Sequence, residues 1–202
     1  MILQHPFQTV TPSLDGEVLH ALARARETFT VTWLEMLLPA RSPSGIRRVL
    51  ERLVRQGVVD EIRIGRALGY RLNTDHLAAG PILALAALRD HLIERLRDDI
   101  ATWSEQPAYV ALFGSGAGGN MSEGSDIDLF FLRPVDASPS FDDRVHELAA
   151  RAQRWTGNPV HPLILDVAHV EEHARSEVVL SDIVETGIPI AGDSRALRRA
   201  VR

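Results

Sequence analysis

Apolar residues recur at helical spacing through the first third of the chain. In LDGEVLHALARA, Leu14–Ala25, the residues Leu14, Val18, Leu19 and Leu22 fall on one face and predict a helix. VTWLEMLL, Val31–Leu38, predicts a second, shorter helix. In RSPSGIRRVLERLVRQGVV, the residues Ile46, Val49, Leu50, Leu53 and Val54 follow the i, i+3, i+4, i+7, i+8 rule. Ser42 is its N-cap, Pro43 takes the first helical position, and Gly57 ends it. The opposite face is polar and carries Arg47, Arg48, Glu51, Arg52 and Arg55. The period then changes from 3.6 to 2. VDEIRI and GYRLN predict two strands joined through GRAL, a hairpin with Arg63 and Arg66 near its tip.

Ala79-Gly80-Pro81 punctuates the chain, and helical spacing returns after it. Leu85, Leu88, Leu92, Leu96, Ile100 and Trp103 form one stripe, predicting a single long helix from Pro81 to about Ser104. The stripe packs on the domain that follows or forms a dimer seam, and one stripe can serve both at different heights. Tyr109–Phe113 is an apolar run that predicts a strand, and it leads directly into Gly114-Ser115 and a loop of small residues. Asp126-Ile127-Asp128-Leu129-Phe130-Phe131-Leu132 predicts the next strand. The amphipathic stretch Phe141–Trp155 predicts a helix packed on the sheet, NPVHPLILD a further strand, and Ile188 with Ile190 a final edge strand. The expected sheet is mixed, with helices mainly on one face.

Composition narrows the chemistry. With 45% apolar and 24% charged residues, the 202-residue chain suits a cored protein of one large domain or two small ones. No cysteine means no disulfide framework and no cysteine-zinc site. All 22 basic residues are arginine, which excludes a Walker lysine, a Schiff base and a lysine nucleophile. No apolar run approaches membrane-spanning length, and MILQHPFQTV lacks the pattern of a signal peptide, so the expectation is a cytoplasmic protein with no membrane partner. Charge is uneven. Residues 1–80 carry ten Arg against eight acids, while residues 81–202 carry twelve Arg against nineteen. This asymmetry predicts two domains with different partners.

The sharpest chemistry lies in YVALFGSGAGGNMSEGSDIDLFFL. Side chains alternate along a strand, so Asp126 and Asp128 share a face while Ile127 and Leu129 enter the core. Two adjacent carboxylates repel unless a cation neutralises them, and hard oxygen ligands favour Mg2+ or Mn2+. Gly114, Gly116 and Gly119 spell GxGxxG, but a dinucleotide fold needs a crossover helix after that loop. Only NMSEGS separates Gly119 from Asp126, so the helix has no room.

An apolar strand, Gly-Ser, ten residues and then Asp-x-Asp on a strand resembles the nucleotidyltransferase superfamily that includes DNA polymerase beta, closest to its minimal bacterial members, over about residues 81–192. The resemblance implies that Gly114 and Ser115 bind a nucleotide triphosphate and that Asp126 and Asp128 hold divalent ions. In-line transfer of a nucleoside monophosphate with release of pyrophosphate would follow. Relatives usually carry a cation just after Gly-Ser, where this chain has Gly116-Ala117-Gly118-Gly119. Active relatives often add a third carboxylate from a later strand. Asp166 is the only acid of NPVHPLILD and the candidate, with His161 the alternative occupant of that inward position.

The stretch SPSGIRRVLERLVRQGVVDEIRIGRALGYRLN, within about residues 13–74, resembles a winged helix-turn-helix. The resemblance implies double-stranded DNA as partner, with Ser44, Arg47 and Arg48 reading bases and Arg52, Arg63 and Arg66 contacting phosphates. A homodimer would sum those phosphate contacts. The expected architecture is α+β: a winged helix over residues 1–78, a long connecting helix over 79–105, and a small mixed-sheet nucleotidyltransferase fold over 106–202. Two functions compete. One is an Mg-dependent nucleotidyltransferase acting on an unknown acceptor. The other is a DNA-binding transcriptional regulator or antitoxin whose second domain binds nucleotide or a protein partner without turnover.

Overall fold

The computed structural model describes residues 1–25, 27–173, 178–195 and 197–198, and the chain separates into two compact units. One runs from His5 to Arg89; the other joins Met1–Gln4 to the segment from Asp90 onward.

In the first unit a short 3-10 turn, Pro6–Thr9, precedes α1 (Leu14–Ala25), β1 (Phe29–Thr30), α2 (Val31–Leu37) and α3 (Pro43–Arg55). The caps behave as their residue types dictate. The Thr30 hydroxyl accepts from Trp33 N at 3.3 Å and opens α2, and the Ser42 hydroxyl accepts from Gly45 N at 3.1 Å and opens α3. Val18, Leu22, Leu34, Ile46, Leu50 and Leu53 close a common core. Strands β2 (Val59–Ile64) and β3 (Ala67–Leu72) form the hairpin, turning at Gly65, whose φ is 60°. β1 adds to the far side of β3 in an antiparallel sheet of order β1-β3-β2. Helix α4 (Ala79–Ala86) follows, and Ile82, Leu83 and Ala86 pack against the same core.

The expected single helix from Pro81 to Ser104 is two helices. α4 ends at Ala86, Ala87 caps it, and α5 spans Leu88–Ala101. The leucine stripe is correspondingly divided. Leu92, Leu96, Ile100 and Trp103 enter the core of the second unit, whereas Leu85, on α4, does not join them.

The second unit is built on a four-stranded sheet in the order β6-β5-β4-β7. β4 (Tyr109–Phe113) runs antiparallel to both β5 (Ile127–Arg133) and β7 (Ile188–Gly192), while β5 and β6 (Val160–Asp166) are parallel. Between β4 and β5 sits a five-residue helix, α6 (Gly114–Gly118); α7 (Ser140–Thr156) crosses from β5 to β6. Helices α8 (Val167–His173) and α9 (Val178–Thr186) precede β7. Helices cover both faces, not mainly one. Val110, Leu112, Ile127, Leu129 and Phe131 meet α5 and α7, while Ala111, Phe130 and Leu132 meet Val170, Leu180 and Ile183. Two covered faces explain why β4 and the part of β5 beyond Asp128, Leu129–Leu132, read as apolar runs. Among the described residues, no helix is long and apolar enough to cross a membrane.

Candidate functional site

The site forms where β4 ends and β5 begins. Antiparallel register sets Phe113 opposite Asp128, so the first residue after β4 lies against the Asp128 side chain. That residue is Gly114, with φ of 64°. A Cβ added there would stand 2.7 Å from Asp128 Oδ2. Both the left-handed backbone and the close approach therefore require glycine. Ser115 follows in α6, which ends at Gly119 in the left-handed region with φ of 75°.

The segment leading into β5 is pinned from two sides. Ser122 N donates to Ser125 Oγ at 2.9 Å, and Ser125 N donates to the Ser122 carbonyl at 3.1 Å. Asn158, only 4% exposed, donates from Nδ2 to the Ser125 carbonyl at 2.8 Å. Ile127 N donates to the Pro159 carbonyl at 2.9 Å. These bonds fix the backbone that carries Asp126. Asn158 had no signal in the sequence, because its partner lies 33 residues away.

Asp126 and Asp128 flank the fully buried Ile127 and emerge on the face opposite to it. Burial raises the Asp128 carboxyl above the usual carboxylate range; nearby His161 opposes the shift and Asp126 adds to it. His161 is the parallel-register partner of Asp128, and its Nε2 stands 3.3 Å from Asp126 Oδ2. The structure thus places the alternative residue, His161, beside the aspartates.

Asp166 is elsewhere. It pairs in register with Arg133, five residues beyond the Asp128–His161 pair, roughly 17 Å along the strands at about 3.3 Å per residue. An odd offset also turns it to the other face of the sheet. There it is exposed and ion-paired with Arg133 at 3.2 Å, while the same arginine forks onto Asp142 at 2.8 and 2.9 Å. The expected catalytic role of Asp166 is corrected on these grounds: it shares neither the face nor the end of the sheet with Asp126 and Asp128.

Residues 93–188 match the nucleotidyltransferase domain family model. The match spans just under half of the chain and encloses the loop, both aspartates and His161. No curated protein matches the chain. Two solved structures resemble it at 21% identity and a TM-score of 0.37, each covering 55% of this chain. One is a toxin–antitoxin crystal structure with AMP-PNP, covered over 80% of its length; the other, a mutant of the toxin–antitoxin MntA-HpeT, is covered over 79%.

Nucleotidyltransferases use an NTP and divalent metal, and the donor set here fits such an ion. Two carboxylates share one face, one of them raised by burial and by its neighbour, so a bound cation would relieve an existing electrostatic cost. Among the described residues, no three His, Asp or Glu side chains are gathered closely enough to hold an ion alone. Mg2+ is usually held by one or two carboxylates together with water and other oxygen ligands.

In the first unit, Ser44, Arg47 and Arg48 are exposed on α3, and Arg63 and Arg66 are exposed at the hairpin. Arg52 differs. It is ion-paired with Asp15 of α1, and its Nη1 donates to Gln56 Oε1 at 2.8 Å. The structure groups it with the helix packing of the unit, not with the exposed arginines.

Proposed function

We propose that the second unit binds a nucleoside triphosphate with a divalent ion and transfers a nucleoside monophosphate to an acceptor hydroxyl. The reading is carried by the juxtaposition of Gly114 with Asp128, which sets a small-residue loop directly against paired carboxylates. Gly114 leaves room for phosphate oxygens to approach the backbone N–H groups after β4, and the Ser115 hydroxyl offers a further donor. Asp126 and Asp128 would hold the ion. When bound, the ion neutralises phosphate charge and lowers the pKa of the attacking hydroxyl. The chain itself mainly positions these groups: Asn158 and the Ser122–Ser125 turn hold Asp126, and the β4–β5 register holds Asp128. Incubating the protein with α-labelled NTPs, Mg2+ and cell extract tests the reading. Label should reach an acceptor with wild type and fail with Asp126→Ala/Asp128→Ala. No aspartate-dependent label with any of the four NTPs would sink it.

The first unit we read as a winged helix that binds double-stranded DNA. Its support is the order α1-β1-α2-α3-β2-β3 with exposed Ser44, Arg47, Arg48, Arg63 and Arg66. A regulator without turnover is the second reading, favoured by the placement of Asp166 away from the aspartate pair. In that case the second unit binds nucleotide and the first binds DNA, but no label is transferred.

A further inference from the structure

The first unit contains a cavity of about 410 Å3 that nucleotidyl transfer does not use. It lies among α1, β1 and α2, and Phe7, Phe29, Trp33, Leu37 and Leu38 form its apolar wall. Small-molecule sites are typically roughly 300–1,000 Å3, mainly apolar, with a few placed polar groups. A cavity of about 150 Å3 holds one benzene ring, so this one has room for two fused rings and a substituent. Trp33 is 58% exposed and Leu37 50%, so a bound molecule would cover apolar surface that the unit leaves in water. Three of the five wall side chains are aromatic, which favours a flat ring over an alkyl chain.

The polar groups indicate what that molecule carries. His20 lines the cavity and is only 8% exposed, and its Nε2 has no hydrogen-bond partner among the described residues. A buried polar atom left unpaired is destabilising, and a ligand that pairs with it removes the penalty. Burial, with Arg24 and His5 adding to it, keeps the ring neutral at pH 7, so Nε2 can carry the proton and donate it. Arg24 also lines the cavity, is exposed, and has no ion-pair partner among the described residues. Of the two acids on the lining, Glu17 is neutralised by Arg41, whose Nε and Nη2 donate to it at 2.7 and 2.5 Å. Glu27 is exposed, where water and salt screen it. We infer that this cavity binds a small aromatic carboxylate, its rings against Trp33 and the two phenylalanines and its charge between Arg24 and His20 Nε2. Arginine suits the task, because its fork matches both carboxylate oxygens.

Isothermal titration of the full chain with 2-naphthoate, 2-naphthamide and octanoate tests the inference. 2-Naphthoate should bind at one site. The amide, with the rings but no charge, and octanoate, with the charge but no rings, should each bind at least about tenfold more weakly. Arg24→Gln should weaken naphthoate about tenfold and leave the amide unchanged, while Trp33→Ala should weaken both. His20→Phe should weaken naphthoate; Arg24 is exposed, so its variant keeps the test decisive even where the buried histidine variant is unstable. Naphthoate that fails to bind at millimolar concentration, binds no better than either control, or ignores Arg24→Gln overturns the inference. So does a wild-type dimer in sedimentation that Leu37→Asp dissociates, since a second copy would then cover the cavity.

Discussion

Gly114 concentrates the logic of the site in one position. A side chain there meets two obstacles at once, a φ of 64° and an Asp128 oxygen 2.7 Å from the new Cβ. Gly114→Ala should cost roughly 1–3 kcal/mol in the unfolding free energy of the second unit. It should also weaken nucleotide binding more than a distant mutation of equal cost, which chemical denaturation and nucleotide titration would measure together. Asp128 gives a second prediction. Burial raises its folded-state pKa, so the folded unit retains a proton that the unfolded chain releases. Without metal, its contribution is favourable at pH below the unfolded value and is lost as pH rises through the raised folded one. Asp128→Asn should flatten that part of the pH–stability profile and leave the metal-free unit more stable at neutral pH, read by thermal unfolding from acid to neutral. Both aspartates were legible in the sequence, because alternation on a strand is a local rule. Asn158 was not, since it acts on a residue 33 positions away, and His161 was legible only as the alternative to Asp166, because strand register decides between them.

Among the elements, α1 and α3 were the most legible, because caps and periodicity mark their boundaries within the stretch itself. The break at Ala87 was not. An alanine carries no stop signal, and the leucine spacing continues through it. The misassigned Asp166 has a related cause. Which residue of β6 faces Asp128 depends on strand register, and parallel pairing across α7 leaves no turn in the sequence from which to count. Ion pairing separates Arg52 of α3 from the exposed Arg47 and Arg48, a difference that mutation should distinguish. On the proposed winged-helix reading, Arg47→Ala/Arg48→Ala should weaken DNA binding and relax base preference, while Arg63→Ala/Arg66→Ala should lower the salt slope of the binding constant by about two. Arg52→Ala should leave DNA affinity nearly unchanged and lower stability instead, because its partner is Asp15. Gel shifts across a salt series, beside thermal unfolding of the same variants, decide between the two effects. An Arg52→Ala variant with wild-type stability and weakened DNA binding would refute the assignment.

Across the whole molecule, the division into two units implies separate responses to acid. His20 on α1 is buried between Phe7 and His5, and its Nε2 has no hydrogen-bond partner among the described residues. Burial, with Arg24 and His5 adding to it, lowers its pKa from the ordinary 6.5 to about 4. The folded first unit therefore keeps His20 neutral over a range where the unfolded chain takes up a proton. Its contribution is fully present above pH 6.5 and is lost progressively as pH falls toward about 4. The Asp128 contribution in the second unit runs the other way, growing as the medium becomes more acid. Unfolding should accordingly resolve into two transitions whose spacing changes between pH 7 and pH 4. A probe for each transition exists in the chain itself: Trp33 reports the first unit, and Trp103, stacked on Phe131, reports the second. The extreme N-terminus sharpens the test. Leu3 is buried in the core of the second unit near Gly116, and Gln4 donates to the Met121 carbonyl at 2.8 Å. Leu3→Ala should thus lower the second transition by about 2–5 kcal/mol and spare the first. His20→Leu should remove the acid sensitivity of the first and spare the second. If each variant moved both transitions equally, the two units would be one cooperative body and the opposed pH responses would merge.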